Sequence, residues 1–266
     1  MLPAPDLAAL APDLHAATRE AGAIARRAYR PGQETTARQW MKDKGSPVTE
    51  ADMAVDSFLK ARLSALLPQA GWLSEETADH PDRLGRELVW IVDPIDGTRA
   101  FMTGHPDWSV AIALLAGRRP VLGVVYAPVH DHFYEASLGG GARRNGERMT
   151  VSEAGALPGA RIAGPKPLID AVERRVGAPL RHLPKIPSLA LRLARVAEGS
   201  VDVGLVSSNA RDWDLAGADL ILHEAGGLLT DLDGVALAYN QPEPVHGELA
   251  AAASGLHPSV IKAMRA

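Results

Sequence analysis

The chain has 266 residues, 46% hydrophobic and 23% charged, and its 28 basic and 32 acidic side chains give a net charge of −4. That is a globular composition with ample core material, and its mild acidity offers no electrostatic footprint for a nucleic-acid polymer. With no cysteine, disulfides, thiolate catalysis and cysteine-ligated zinc are excluded.

The N-terminus carries prolines and aspartates but no basic segment ahead of its apolar stretch, so it does not read as a signal peptide. No run of about 18 apolar residues occurs to span a membrane, and a cytoplasmic protein with no membrane partner is expected. Leu14, Ala17, Ala21, Ile24 and Ala28 recur at helical spacing and predict a helix over 12–29, stopped by Pro31-Gly32. After a polar loop through Asp43-Lys44-Gly45-Ser46-Pro47, Thr49 is predicted to cap a helix, with Asp52 three residues on closing a capping box. Pro68 ends that helix.

Leu88-Val89-Trp90-Ile91-Val92 is a continuous apolar run, as in a strand buried on both faces. It is expected to stop at Asp93-Pro94, where proline removes a ladder donor. Short strands over 110–115, 121–126 and 133–136, with close turns between them, predict an antiparallel meander, and Asn145-Gly146 adds a hairpin. From about Ser152 the pattern alternates: helix 188–198, strand 201–206, helix 214–225, strand 228–230. These elements predict an α+β lobe over 1–151 and an α/β lobe over 152–266, closely packed with a cleft between them.

Asp93-Pro94-Ile95-Asp96-Gly97-Thr98 is the segment most suggestive of chemistry. A rigid turn after a buried strand can deliver both carboxylates into one space, where they repel unless a cation separates them. Hard oxygen ligands select Mg²⁺, Mn²⁺ or Ca²⁺, and Gly97-Thr98 can open a helix with N–H groups available to a phosphate. An ordinary Asp-Pro turn is the plain alternative. Glu75-Glu76, Asp52 and Asp214 are, taken singly, a solvated pair, a capping carboxylate and an N-cap.

Taken together, 45–52 (Gly-Ser-Pro-Val-Thr-Glu-Ala-Asp), 74–77 (Ser-Glu-Glu-Thr), 90–98 (Trp-Ile-Val-Asp-Pro-Ile-Asp-Gly-Thr), 213–218 (Trp-Asp-Leu-Ala-Gly-Ala) and 224–227 (Glu-Ala-Gly-Gly) resemble the inositol monophosphatase family. More broadly, they resemble the lithium-sensitive, magnesium-dependent phosphatase superfamily, which includes bisphosphate nucleotidases. The resemblance implies a layered αβαβα sandwich. It also implies two or three Mg²⁺ ions held by Glu75, Asp93, Asp96, Asp214 and the Ile95 carbonyl. Asp52, Thr98 and Glu75 become the catalytic residues that position or polarise water. Lys44 (in a loop over the site), Asp96, Gly97, Thr98, Ser188 and Asp214 become the substrate-binding set, and a homodimer is allowed.

The expected function is Mg²⁺-dependent hydrolysis of a small phosphate monoester by activated water. No Gly-x-Ser-x-Gly elbow favours acyl chemistry. Inositol itself is less well supported. The family's Gly-Thr/Ser-Ala-Ala turn is replaced by Lys185-Ile186-Pro187-Ser188-Leu189-Ala190, and no acid occupies Val206-Ser207-Ser208, where inositol enzymes carry a glutamate. A 3′(2′),5′-bisphosphate nucleotidase and a histidinol-phosphate phosphatase remain alternatives. So does a non-catalytic metal-binding protein of the same fold, although no ligand or Thr98 is lost. His130-Asp131-His132 is expected to be a solvated turn, Gly139-Gly140-Gly141 a turn or bulge, and Asp231-x-Asp233-Gly234 a tight turn.

Overall fold

The computed structural model describes residues 7–42 and 45–265. Its helices are α1 (Leu7–Arg26), α2 (Glu50–Leu66), α3 (Thr98–Met102), α4 (Lys166–Val176), α5 (Leu189–Ala197), α6 (Asp212–Glu224) and α7 (His257–Arg265). A seven-stranded sheet runs in the order Gly71–Ser74, Leu88–Asp96, Ser109–Ala116, Arg119–Ala127, His132–Ser137, Gly141–Arg144, Glu147–Arg148. Only its first pair is parallel. A five-stranded sheet runs in the order Arg181–His182, Arg161–Ala163, Val203–Val206, Leu249–Ala253, Gly227–Asp231.

Strand alternation sorts the side chains into layers. Trp90, Val92, Val110, Ile112 and Leu114 leave one face of the large sheet and pack with Leu14, Ala21, Val55, Leu59 and Leu63 of α1 and α2. Val89, Ile91, Ala111, Ala113 and Leu115 leave the other face and pack with Leu191, Ala194, Leu215 and Leu222 of α5 and α6. The small sheet lies beyond those two helices, and its far face packs Ile162, Val203, Leu205 and Ala252 against Ile169, Val172, Val260 and Met264 of α4 and α7. The layers therefore run α, β, α, β, α, as the resemblance implied.

Several elements differ from the sequence-based expectation. α1 begins at Leu7 and carries Pro12 inside it, because the apolar stripe already includes Leu10. The strand expected to stop at Asp93 continues to Asp96, with a register irregularity between those residues: Asp93 pairs with Ala111 and Asp96 with Ser109. Pro94 and Ile95 on one strand thus oppose Val110 alone on the other, a bulge of one extra residue. In an unbroken strand, side chains three apart point to opposite faces. The bulge restores Asp96 to the side of Asp93.

Candidate active site

Asp93, Asp96 and Asp214 arrive from two elements. The bulged strand supplies the first two and the first turn of α6 the third. Each offers a carboxylate oxygen, and the three oxygens lie within 4.8 Å of one another; Asp93 and Asp96 are buried and Asp214 is half-buried. Asp93 also accepts from the Ile95 N–H at 3.0 Å, which fixes the Asp-Pro-Ile turn. Asp214 accepts from the Arg211 N–H at 2.7 Å as part of the α6 start.

Ser188 is fully buried and caps α5. Its hydroxyl and the Ala190 N–H, at 2.5 and 2.7 Å, both donate to Asp96 Oδ2, leaving Oδ1 for other partners. Ser188 therefore acts on Asp96 from behind and does not line the cleft, whose wall here is Lys185 and Pro187. The same hydroxyl lies 2.9 Å from that of Ser109. Gly97, at φ 87°, makes the turn into α3, and a Cβ there would lie 3.2 Å from the Ser188 nitrogen.

Burial pushes Asp93 and Asp214 well above the ordinary carboxylate range, with the neighbouring carboxylates adding to the shift. Burial also takes Asp96 up to about 6, against the opposing pull of the Ser188 and Ala190 hydrogen bonds. Among the described residues, no lysine or arginine side chain hydrogen-bonds or ion-pairs with any of the three. Close, largely buried carboxylate oxygens with no cation hydrogen-bonded to them suit a hard divalent cation.

Glu75 and Glu76 follow the edge strand Gly71–Ser74. Glu75 lines the same cleft, and its charge raises the three aspartates. Lys42 donates to Glu75 Oε1 at 2.9 Å and to Glu76 Oε1 at 2.8 Å. Although burial opposes its charge, the two glutamates hold Lys42 above its ordinary value, while burial lifts Glu76 to about 7. Lys42 carries no signal in the sequence beyond lying two residues before Lys44. Lys44 itself lies outside the described residues.

Asp52 occupies the predicted capping box, its Oδ2 accepting from the Thr49 N–H at 2.8 Å. Its Oδ1 lies 3.2 Å from the Thr98 hydroxyl, which is also 3.1 Å from the Ile95 carbonyl oxygen. Burial raises Asp52 to about 6, and the Thr49 hydrogen bonds partly offset that rise.

The remaining motifs are structural. The N–H groups of Gly139 and Gly141 donate to Glu224, so the chain's own carboxylate fills the glycine loop. His130 lies in a turn as expected but is anchored, with Nε2 2.9 Å from Asp107, which also accepts from Arg195. Asp231 closes its tight turn through the N–H groups of Asp233 and Val235. Among the described residues, no helix is long and apolar enough to cross a membrane.

Comparison with known proteins points the same way. A sequence profile of the inositol monophosphatase family matches residues 6–266. The 3′(2′),5′-bisphosphate nucleotidase CysQ of Aggregatibacter actinomycetemcomitans is 34% identical over 211 residues, covering 76% of this chain and 78% of the relative. The histidinol-phosphatase of Mycobacterium tuberculosis is 36% identical over 241 residues, covering 83% and 85%. The crystal structure of the extragenic suppressor protein suhB from Bartonella henselae superposes with a TM-score of 0.83 at 28% identity, covering 97% and 98%.

Proposed function

The chain belongs to the inositol monophosphatase family of phosphatases, and on that premise we propose that it is a Mg²⁺-dependent phosphomonoesterase acting on a small phosphorylated metabolite. The observation that carries this proposal is the convergence of Asp93, Asp96 and Asp214 within 4.8 Å. Those carboxylates would hold Mg²⁺, with Glu75 and the Ile95 carbonyl completing the set. Bound Mg²⁺ supplies acidity to water and charge compensation to the leaving oxygen.

The protein's own groups do the positioning. Thr98 carries one hydroxyl proton. When it donates to Asp52, a lone pair on its oxygen is turned to accept a hydrogen bond from the attacking water. Asp52, raised to about 6, is ionised near neutral pH and still basic enough to take the Thr98 hydroxyl proton as Thr98 takes the one that water loses. Gly97 and Thr98 line the cleft where the phosphoryl group would sit, and attack is in line with the departing alkoxide.

Two cations, Arg99 and Lys185, line the mouth of the same cleft. They favour a substrate with a second anionic group, and hence the bisphosphate alternative over a neutral polyol phosphate. A weakly selective enzyme is expected, because Val206-Ser207-Ser208 carries no acid to enforce recognition of hydroxyls. Purified protein should release phosphate from monoesters with Mg²⁺, lose that activity in excess chelator and regain it when Mg²⁺ is restored. Li⁺ should inhibit. Undiminished hydrolysis in excess chelator would overturn the proposal.

A further inference from the structure

The loop bearing Glu75 and Glu76 is tied to α2 by one side chain outside the motifs discussed so far. Asp56 lies one helical turn beyond Asp52 and is buried, 4% exposed. Its Oδ1 accepts from the Ser74 hydroxyl and its Oδ2 from the Thr77 hydroxyl at 2.6 Å. Those two residues bracket the glutamate pair. The Ser74 oxygen in turn accepts from the Glu76 N–H at 3.4 Å, so a chain of hydrogen bonds runs from the loop backbone into Asp56. The loop is also tied by a backbone bond from the Glu75 N–H to the Val92 carbonyl at 3.3 Å and by the Lys42 ammonium on the carboxylates.

We propose that Asp56 is a positioning residue. By gripping both ends of the Ser74–Thr77 loop it fixes Glu75 relative to Asp52, and so sets the affinity of the site for its divalent cation. Asp52 and Asp56 are one turn apart on a single helix, so the rigid body that carries the proposed base also sets the position of the glutamate. Each Asp56 carboxyl oxygen has its own hydroxyl donor, and this pair exchanges no proton with substrate. Its effect is confined to geometry.

The inference rests on the phosphatase proposal above, and its test separates the two. Asp56→Ala should raise the Mg²⁺ concentration for half-maximal activity by about 10-fold or more and leave kcat at saturating Mg²⁺ within about twofold. The Mg²⁺-dependent rise in Tm, which reports binding without turnover, should shift along the concentration axis by the same factor. Asp56→Asn should restore most of the affinity, because its amide oxygen accepts from one hydroxyl and its N–H donates to the other. If Asp56→Ala does not fold, Thr77→Val removes one donor at nearly constant shape and should shift both readouts in the same direction. The proposal is overturned if Asp56→Ala, or Thr77→Val in its place, leaves both Mg²⁺ dependences unchanged, or if Asp56→Asn is as impaired as the alanine variant. If the parent protein releases no phosphate from any monoester, the phosphatase proposal fails, and the Tm titration still decides the role of Asp56.

Discussion

Gly123 of the large sheet and Gly217 of α6 meet backbone to backbone: a Cβ on Gly123 would lie 2.4 Å from the Gly217 carbonyl oxygen. A Cβ on Gly217 would lie 2.7 Å from the Ile112 carbonyl oxygen. The helix that begins beside Asp214 can therefore settle on the sheet that ends in Asp93 and Asp96 only because neither position carries a side chain. Gly217→Ala should lift α6 and cost about 1–3 kcal/mol, as overpacking does. It should also displace Asp214. Chemical denaturation and phosphate release measured on one preparation check this, with activity expected to fall even under conditions where the variant remains folded.

Replacing a proposed ligand should separate activity from stability. Asp93→Asn removes an anionic cation ligand and should lower turnover at least about 10²-fold. In the absence of divalent ions, the same change relieves repulsion in a cluster whose carboxylates are already held above their ordinary range. The Tm of the chelated variant should equal or exceed that of the chelated parent. Lower stability without metal would contradict the electrostatic account of the site.

The raised carboxylates also set a pH dependence. Asp52 rises from 3.8 to about 6 and Glu76 from 4.5 to about 7 on folding. The folded protein thus binds more protons than the unfolded chain between those limits, and stability falls as pH rises through them. Their contribution is fully present below about pH 4 and gone above about pH 7. Denaturation in chelator across pH 4 to 8 should show this decline, superposed on contributions from other groups. Comparison with Asp52→Asn should show a shallower slope.

At the cleft mouth, Lys185 should act on substrates that carry charge beyond the scissile phosphate. Lys185→Ala is expected to lower kcat/KM for adenosine 3′,5′-bisphosphate by about two- to fivefold, the size of an exposed charge contact. It should leave inositol 1-phosphate nearly unaffected. Steady-state kinetics with these two substrates and histidinol phosphate, side by side, measure the difference. A parent preference for inositol phosphate by several orders of magnitude would contradict the open, weakly selective wall.

The clustering of Asp93, Asp96 and Asp214 was expected from the sequence through the family motifs taken together; no acid taken singly announced it. The support around those acids was not legible. Asp56, Ser74 and Thr77 meet across 18 and 21 residues, and Lys42 reaches Glu75 across 33, separations at which no periodicity speaks. Leu249–Ala253 was also missed. Four alanines favour a helix by local propensity, yet they form a fully buried strand between Val203–Val206 and Gly227–Asp231. There the tertiary environment outweighs local preference, and small side chains fit between helices on both faces of the sheet.

Asp52 divides its two oxygens between different duties. One begins a helix by accepting from the Thr49 backbone, and the other faces the Thr98 hydroxyl. The start of α2 and the proposed base are consequently one inherited unit: a substitution that abolishes the base also loosens the helix holding Leu59 and Leu63 in the core. Drift at this position is opposed twice, once by loss of turnover and once by loss of fold. An inactive descendant that kept the architecture would more readily arise by changing Thr98, whose removal leaves the helix cap intact.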